Sequence, residues 1–244
     1  MTEVPALLLF PSLLSEESVP QAVLPAPVLD RVRQTRDFVV ENARTARRFL
    51  AACSHPGPIA ALRIAILDEH TRQEDVAPLL APLREGRSLG LLSEAGAPAV
   101  ADPGAQLVAA AHEEGFRVVP LVGASSILLA LMASGLDGQR FRFAGYLPVA
   151  TAERQAAIRE LEARSASARE TQVFIETPYR NDALLADVVR TCRDDTRLAI
   201  AADLTGPGES IRTASVARWR AAPLPPGKRP AIFLLLAAET SRRR

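Results

Sequence analysis

A chain of 244 residues, 48% hydrophobic and 23% charged, has room for two domains of ordinary size, and that balance excludes wholesale disorder. A net charge of +1 excludes a global basic field that would draw in nucleic acid or an anionic membrane, so any such surface has to be local. Lys228 is the single lysine among 29 basic residues; an arginine bias of this kind either reflects genome composition or suits phosphate and carboxylate groups. Cys53 and Cys192 lie far apart and are expected as free thiols in a reducing cytoplasm. His55, His70 and His112 do not fall at metal-ligand spacing with each other or with the cysteines, so no metal site is expected.

Ala6–Phe10 is an apolar run bracketed by Pro5 and Pro11. With Glu3 ahead of it and no basic flank, it reads as a buried strand rather than a signal peptide. Helical patterns over Val28–Thr35, Ala43–Ala52, Gln73–Arg84 and Ala105–Glu114 then alternate with short Val/Ile/Leu-rich runs at Phe38–Glu41, Leu62–Leu67, Ser88–Leu92 and Val118–Leu121. That alternation predicts an α/β domain with a parallel sheet covered on both faces. Next comes an apolar helix, Ser125–Ala133, ended by Ser134-Gly135; its surroundings hold too much Gly and Ser for a membrane span. Beyond it lie strand Phe141–Tyr146, helix Thr151–Arg164, strand Gln172–Ile175 and helix Asn181–Thr191. Strands Leu198–Ala202, Ser210–Thr213 and Ala231–Leu236 follow, with a helical turn at Val216–Arg220. Successive strands without long crossovers predict hairpins in a mixed sheet. The boundary is placed near Pro120–Gly123, giving domains 1–121 and 122–244, with Pro223–Pro230 a loop and Ser241–Arg244 a frayed basic tail.

Three loops carry the chemistry. The segment Ser93-Glu94-Ala95-Gly96-Ala97-Pro98-Ala99-Val100-Ala101-Asp102-Pro103-Gly104 follows a strand and precedes a helix, where open α/β sheets collect ligands. Gly96 permits a positive φ or close backbone approach, and Asp102-Pro103 is a good helix start. Gly123-Ala124-Ser125-Ser126 sits at a second strand-to-helix junction, suited to a carboxylate or ribose. Glu176-Thr177-Pro178-Tyr179-Arg180-Asn181 joins a strand-end carboxylate to a turn and an arginine. No G-x-G-x-x-G, Walker A or G-x-S-x-G pattern is present. Each loop read by itself also fits ordinary helix caps and ion pairs.

Together the loops resemble the tetrapyrrole methylase superfamily, and within it the branch of ribosomal RNA small subunit methyltransferase I. That branch shows S-D-A-G-T-P-x-x-S-D-P-G, which stands here as SEAGAPAVADPG; its P-G-P-S-A is similar to Val122-Gly123-Ala124-Ser125-Ser126. Its Y-E-S-P-H-R resembles Ile175–Arg180, its A-E-D-T-R-x-T-R resembles Val40–Arg47, and its A-R-E-L-T resembles Ala201-Ala202-Asp203-Leu204-Thr205. The element Ser134-Gly135-Leu136 through Phe141, Phe143, Gly145, Tyr146, Leu147 and Pro148 also matches the family's pattern. The chain departs from it at Ser15, where the first loop normally has glycine, at Glu94 for aspartate, at Ala124 for proline and at Gly206 for lysine, which marks a divergent member.

The resemblance implies a two-domain fold with S-adenosyl-L-methionine in the cleft between a parallel and a mixed domain, in a cytoplasmic homodimer. It implies cofactor contacts from Pro11, Ser93, Glu94, Gly96, Pro98, Asp102, Gly123, Ser125, Ser126 and Asp203, and acceptor-side roles for Glu41, Arg44, Glu176 and Arg180. The branch points to methylation of a ribose 2′-hydroxyl in ribosomal RNA, with Arg44, Arg47, Arg48, Arg140, Arg142 and Arg154 as a phosphate-binding rim. Methylation of a tetrapyrrole or other small molecule, and a non-catalytic S-adenosylmethionine-binding module, are the competing readings.

Overall fold

The computed structural model describes residues 4–238, so the tail expected at Ser241–Arg244 lies outside the described residues. They fold as two compact units that divide between Ser125 and Ser126. The first unit runs β1 (Ala6–Phe10), α1 (Pro20–Val23), α2 (Ala26–Gln34), β2 (Asp37–Val40), α3 (Ala43–Ala52), β3 (Arg63–Ile66), α4 (Ala81–Arg84), β4 (Leu89–Leu92), α5 (Gly104–Glu113) and β5 (Arg117–Pro120). Its five strands are all parallel, in the order β3-β2-β4-β1-β5. Side chains alternate between the two faces, as the pleat requires. Leu8, Phe10, Phe38, Val40 and Leu92 pack with Val28, Leu29 and Val32 of α2 and with Phe49 and Leu50 of α3. Leu7, Val39, Leu89 and Leu91 pack with Leu83 of α4 and with Leu107 and Ala111 of α5. Both faces are thus covered, which is why these strands read as continuous apolar runs.

The helix expected over Gln73–Arg84 is broken. Two 3₁₀ segments, Gln73–Asp75 and Ala77–Leu80, precede α4. Pro78 and Pro82 have no N–H to continue an α-helical ladder, so each is accommodated in the first turn of a new short segment. Val76, Leu80 and Leu83 still reach the core, which is the periodicity the sequence displayed.

The second unit runs α6 (Ser126–Ser134), β6 (Phe141–Tyr146), α7 (Thr151–Ala168), β7 (Thr171–Glu176), α8 (Asn181–Thr191), β8 (Arg197–Ala202), β9 (Ser210–Ser215), α9 (Val216–Ala221) and β10 (Ala231–Leu236). The sheet order is β6-β7-β10-β8-β9; β6 and β7 are parallel and the other three pairings antiparallel, so the sheet is mixed as expected. Central β10 stacks Phe233 on Phe174 at 5.7 Å between ring centroids. Trp219 of α9 fills the same core and donates its indole N–H to the Leu198 carbonyl at 2.9 Å. Helix α7 continues past the expected end at Arg164 to Ala168. The buried Ser165 looks polar in sequence, but its hydroxyl donates to the Glu170 carbonyl and accepts the Ala237 N–H, so the helix keeps burying this face. No helix among the described residues is long and apolar enough to cross a membrane.

Candidate active site

Strands β2 and β4 are neighbours, yet the chain leaves β2 toward β3 at one edge and leaves β4 toward β5 at the other. Such a reversal opens a crevice at the carboxyl ends of the strands, the usual ligand position in open α/β sheets. Residues after β1, β2, β4 and β5 meet there. The Ser12 N–H donates to the Gly96 carbonyl and its hydroxyl to the Ser93 carbonyl, both at 2.8 Å. The Glu94 N–H donates to the Glu41 carboxylate at 3.2 Å. Gly123 sits so close to the first loop that a Cβ there would lie 2.4 Å from Pro11 Cβ, so only glycine fits. Pro11, Ser93, Glu94, Gly96 and Gly123, drawn from three loops, are thereby brought into one cluster with Glu41.

The Ser93–Gly104 loop is held in a costly shape. Gly96 has φ +70°, and two alanines, Ala99 and Ala101, also adopt left-handed backbone at +65° and +61°. Each left-handed alanine costs about 1–2 kcal/mol, so a restraint is needed. Asp102 supplies it: its carboxylate accepts the Ala99 N–H at 2.9 and 3.0 Å and the Gly104 N–H at 2.7 Å, and Pro98 of the same loop is buried. Burial pushes the Asp102 carboxyl above its ordinary range, against the pull of those backbone donors. Glu41 is raised as well: burial is the largest cause and is opposed by the Glu94 N–H bond, while the neighbouring charges of Glu94, Asp102 and Glu69 add smaller upward pushes. Among the described residues no group of three His, Cys, Asp or Glu side chains is placed to hold a metal ion. An acidic edge beside fixed backbone polar groups suits an organic cation.

Other expected residues fall elsewhere. Arg44 lies in the exposed first turn of α3, capped by Asn42, whose side chain accepts the Arg44 and Thr45 N–H groups. Ser15 is buried and its hydroxyl accepts the Glu17 N–H, so it turns into its own loop. Arg48 pairs with Glu16 of that loop at 2.7 Å. Arg154 does not belong to a phosphate rim: it is buried, paired with Asp187 at 2.5 Å, and bonded to the Val149 carbonyl at 2.6 Å. Ser125 closes the first unit and Ser126 opens α6, both half-buried.

In the second unit, Ala231 pairs with Glu176 on one side and Ala202 on the other, so Glu176 and Asp203 reach the same edge of the sheet. One Glu176 oxygen accepts from Arg180 at 2.6 Å and from the Thr177 N–H at 2.7 Å; the other is buried with no partner. Asp203 has φ +50° and its carboxylate accepts the Gly208 N–H at 2.8 Å, within its own loop. Two residues here escaped the sequence reading. Ser12 carries no signal beyond following a strand. Asn181 reads as the start of a helix, yet it is fully buried and clasps the Gly227 and Arg229 carbonyls.

Two parallel-to-mixed α/β units, with strand-end loops converging at a switch point in the first, define a ligand-binding class of fold. Residues 16–218 match the model of the tetrapyrrole (corrin/porphyrin) methylases, and the chain belongs to that family. Among curated relatives, ribosomal RNA small subunit methyltransferase I of Neisseria meningitidis serogroup B is 34% identical over 186 residues, 76% of this chain and 60% of its own. The proteins of the same name from Escherichia coli O157:H7 and Mesorhizobium japonicum are 36% and 39% identical over 154 residues, 63% of this chain in each case and 52% and 51% of their own. The chain thus spans about half to three-fifths of the relatives it matches. A conserved hypothetical protein from Aeropyrum pernix K1 shares the fold at TM-score 0.65 and 17% identity, over 98% of this chain and 86% of that one. The methyltransferase CobJ shares it at 0.58 and 16%, over 89% and 95%.

Proposed function

We propose that this chain is an S-adenosylmethionine-dependent methyltransferase that modifies a ribose 2′-hydroxyl of ribosomal RNA, acting in the cytoplasm as a homodimer. The observation that carries the reading is the cluster of loops after β1, β4 and β5 at the switch point, beside Glu41. Its residues fit the donor: a sulfonium and an ammonium group are cations, and Glu41 and Glu94 present carboxylates beside a backbone fixed by Ser12 and Asp102. When bound, the donor supplies an activated methyl group. The protein's part is to orient and to exclude water, and positioning alone is worth up to ~7–11 kcal/mol. Because Glu41 is bonded into the Ser93–Gly104 loop, it is assigned here to holding the donor. Glu176 retains an unpartnered carboxylate oxygen, oriented by Arg180, which can accept a hydrogen bond from a hydroxyl.

The names of the relatives favour ribosomal RNA as acceptor, and the family's description favours a tetrapyrrole as the second reading. Calorimetry with S-adenosylhomocysteine tests the donor site, with an expected dissociation constant in the micromolar range, about −8 kcal/mol. Radiolabelled methyl transfer to small ribosomal subunits from a strain lacking this protein, run beside porphyrin precursors, tests the acceptor. Transfer to porphyrin precursors alone overturns the RNA reading; no binding of S-adenosylhomocysteine by folded protein overturns both.

A further inference from the structure

The opposite edge of the first sheet carries a second constellation. Asp37 opens β2 and is 3% exposed. Arg63, the first residue of β3, grips both of its oxygens at 2.5 and 2.6 Å, and Arg87 reaches the same carboxylate at 3.3 Å while also pairing with Glu85. Burial raises the Asp37 carboxyl, but the two guanidinium groups together hold it below its ordinary range, so it is ionised. Arg31 and Arg36 complete the wall of a cavity of about 290 Å³. Arg36, Arg63 and Arg87 stand here against Asp37 and Glu85, which leaves a formal charge of +1 among these five side chains.

The carboxylate does not exhaust the donors. A guanidinium has five N–H groups, and Arg63 uses two on Asp37. Arg36 is exposed on the cavity wall, and its backbone carbonyl accepts the Arg63 N–H at 3.0 Å. Beside this cavity lies a more apolar hollow of about 370 Å³ that shares Asp37, Arg63 and Arg87 and adds Ile64, Leu79 and Pro82. Forked donors suit phosphate oxygens. A bare anion would leave the apolar hollow empty, whereas a phosphate ester carrying a planar base fills both. Strands of four or five residues rise about 3.3 Å per residue, so this edge lies roughly 15 Å from the donor loops and is a separate site.

We propose that the amino-terminal edge of the first sheet is a nucleotide-phosphate site, in which Arg36, Arg63 and Arg87 hold the phosphate and the adjoining hollow takes the base. The same chemistry is offered by single-stranded RNA and by a free nucleotide. The RNA source rests on the functional reading above; the site itself does not.

The test uses the full chain saturated with S-adenosylhomocysteine and follows backbone amides by NMR during titration with cytidine 5′-monophosphate, cytidine, or oligocytidylate. The monophosphate and the oligomer are expected to shift the amides of Thr35, Arg36, Arg63 and Ser88, with cytidine silent at the same concentration. Arg36→Glu should weaken both phosphate ligands at least about tenfold, the loss of one charge-assisted contact. Arg36→Ala should weaken them less, and Arg159→Glu on exposed α7 should change neither. Binding of the monophosphate without the oligomer supports the site and assigns it to a free nucleotide. Silence of these amides toward both phosphate ligands, or equal binding by Arg36→Glu and wild type, overturns the proposal. Binding here by a chain that transfers no methyl to RNA supports the site and removes only the functional reading.

Discussion

Asp102→Ala isolates what holds the donor loop in shape. The carboxylate accepts two backbone N–H groups, and a hydrogen bond to a charged group is worth about 1.5–3 kcal/mol. Desolvation of the half-buried carboxylate opposes this, as its raised pKa records, so the net restraint is on the order of 2–4 kcal/mol. Left-handed Ala99 and Ala101 together cost about the same, 2–4 kcal/mol. Removing the restraint therefore lets the loop relax, and the two effects largely cancel in global stability. Donor binding has no such compensation, because the bound shape must be rebuilt, and affinity should fall about 30- to 1,000-fold. Asp102→Asn keeps one acceptor oxygen and should fall between. Calorimetry with S-adenosylhomocysteine and a thermal melt measure the two effects. Affinity within threefold of wild type, with a melting temperature that drops sharply, would mean that Asp102 is a helix cap and that the loop is not preorganised for a ligand.

Three further outcomes are expected. Gly96→Val should abolish donor binding in a folded protein, since a Cβ there meets Leu14 at 3.0 Å and φ is +70°; normal calorimetric binding would show the loop is only structural. Glu41 has a raised pKa, so its contribution to stability is full below the ordinary carboxylate range and lost as pH rises through the elevated value. Glu41→Gln should therefore melt higher than wild type at pH 7.5 with the difference closing in acid, while donor binding weakens; a lower melting point at pH 7.5 contradicts this. Arg154→Ala strands a buried Asp187 and should cost about 3–5 kcal/mol in denaturant unfolding, with RNA affinity unchanged in the folded fraction. A selective loss of RNA binding would restore Arg154 to the rim.

What the sequence could show follows from what period and punctuation encode. The β/α alternation of the first unit was legible because both faces of its sheet are covered, leaving unbroken apolar runs at Leu7–Phe10 and Leu89–Leu92. Gly96 was legible as a position that favours glycine, and its positive φ is a fact of the fold; Gly123 was legible only as part of a strand-to-helix turn, because the Pro11 side chain that leaves no room for a Cβ there comes from another loop. The break at Gln73–Arg84 was hidden because apolar spacing survives a change from α to 3₁₀ turns, and only Pro78 and Pro82 betray it. Arg154 was misread because charge alone does not reveal burial; its partner Asp187 lies on another helix, 33 residues away. Ser12 and Asp37 were beyond reach for the same reason: their partners Ser93, Gly96, Arg63 and Arg87 are assembled only by the parallel register.

The near-zero net charge conceals a segregation that the sheet itself creates. In a parallel sheet every strand starts at one edge and ends at the other, so residue types placed before strands and after strands collect at opposite edges. Here Arg36, Arg63 and Arg87 stand at or just before strand starts, where they outnumber Asp37 and Glu85, whereas Glu41, Glu69 and Glu94 stand just after strand ends. The opposite charges of these two edges are thereby separated along the strand direction by roughly 15 Å, beyond the ~8–10 Å over which salt screens exposed charges. One edge can then favour a cation and the other a phosphate without mutual cancellation. On this argument, reversing Arg36 should change phosphate binding and leave donor affinity nearly untouched, and Glu41→Gln should do the opposite. A large effect of either change at the far edge would show that the two edges are coupled through the sheet.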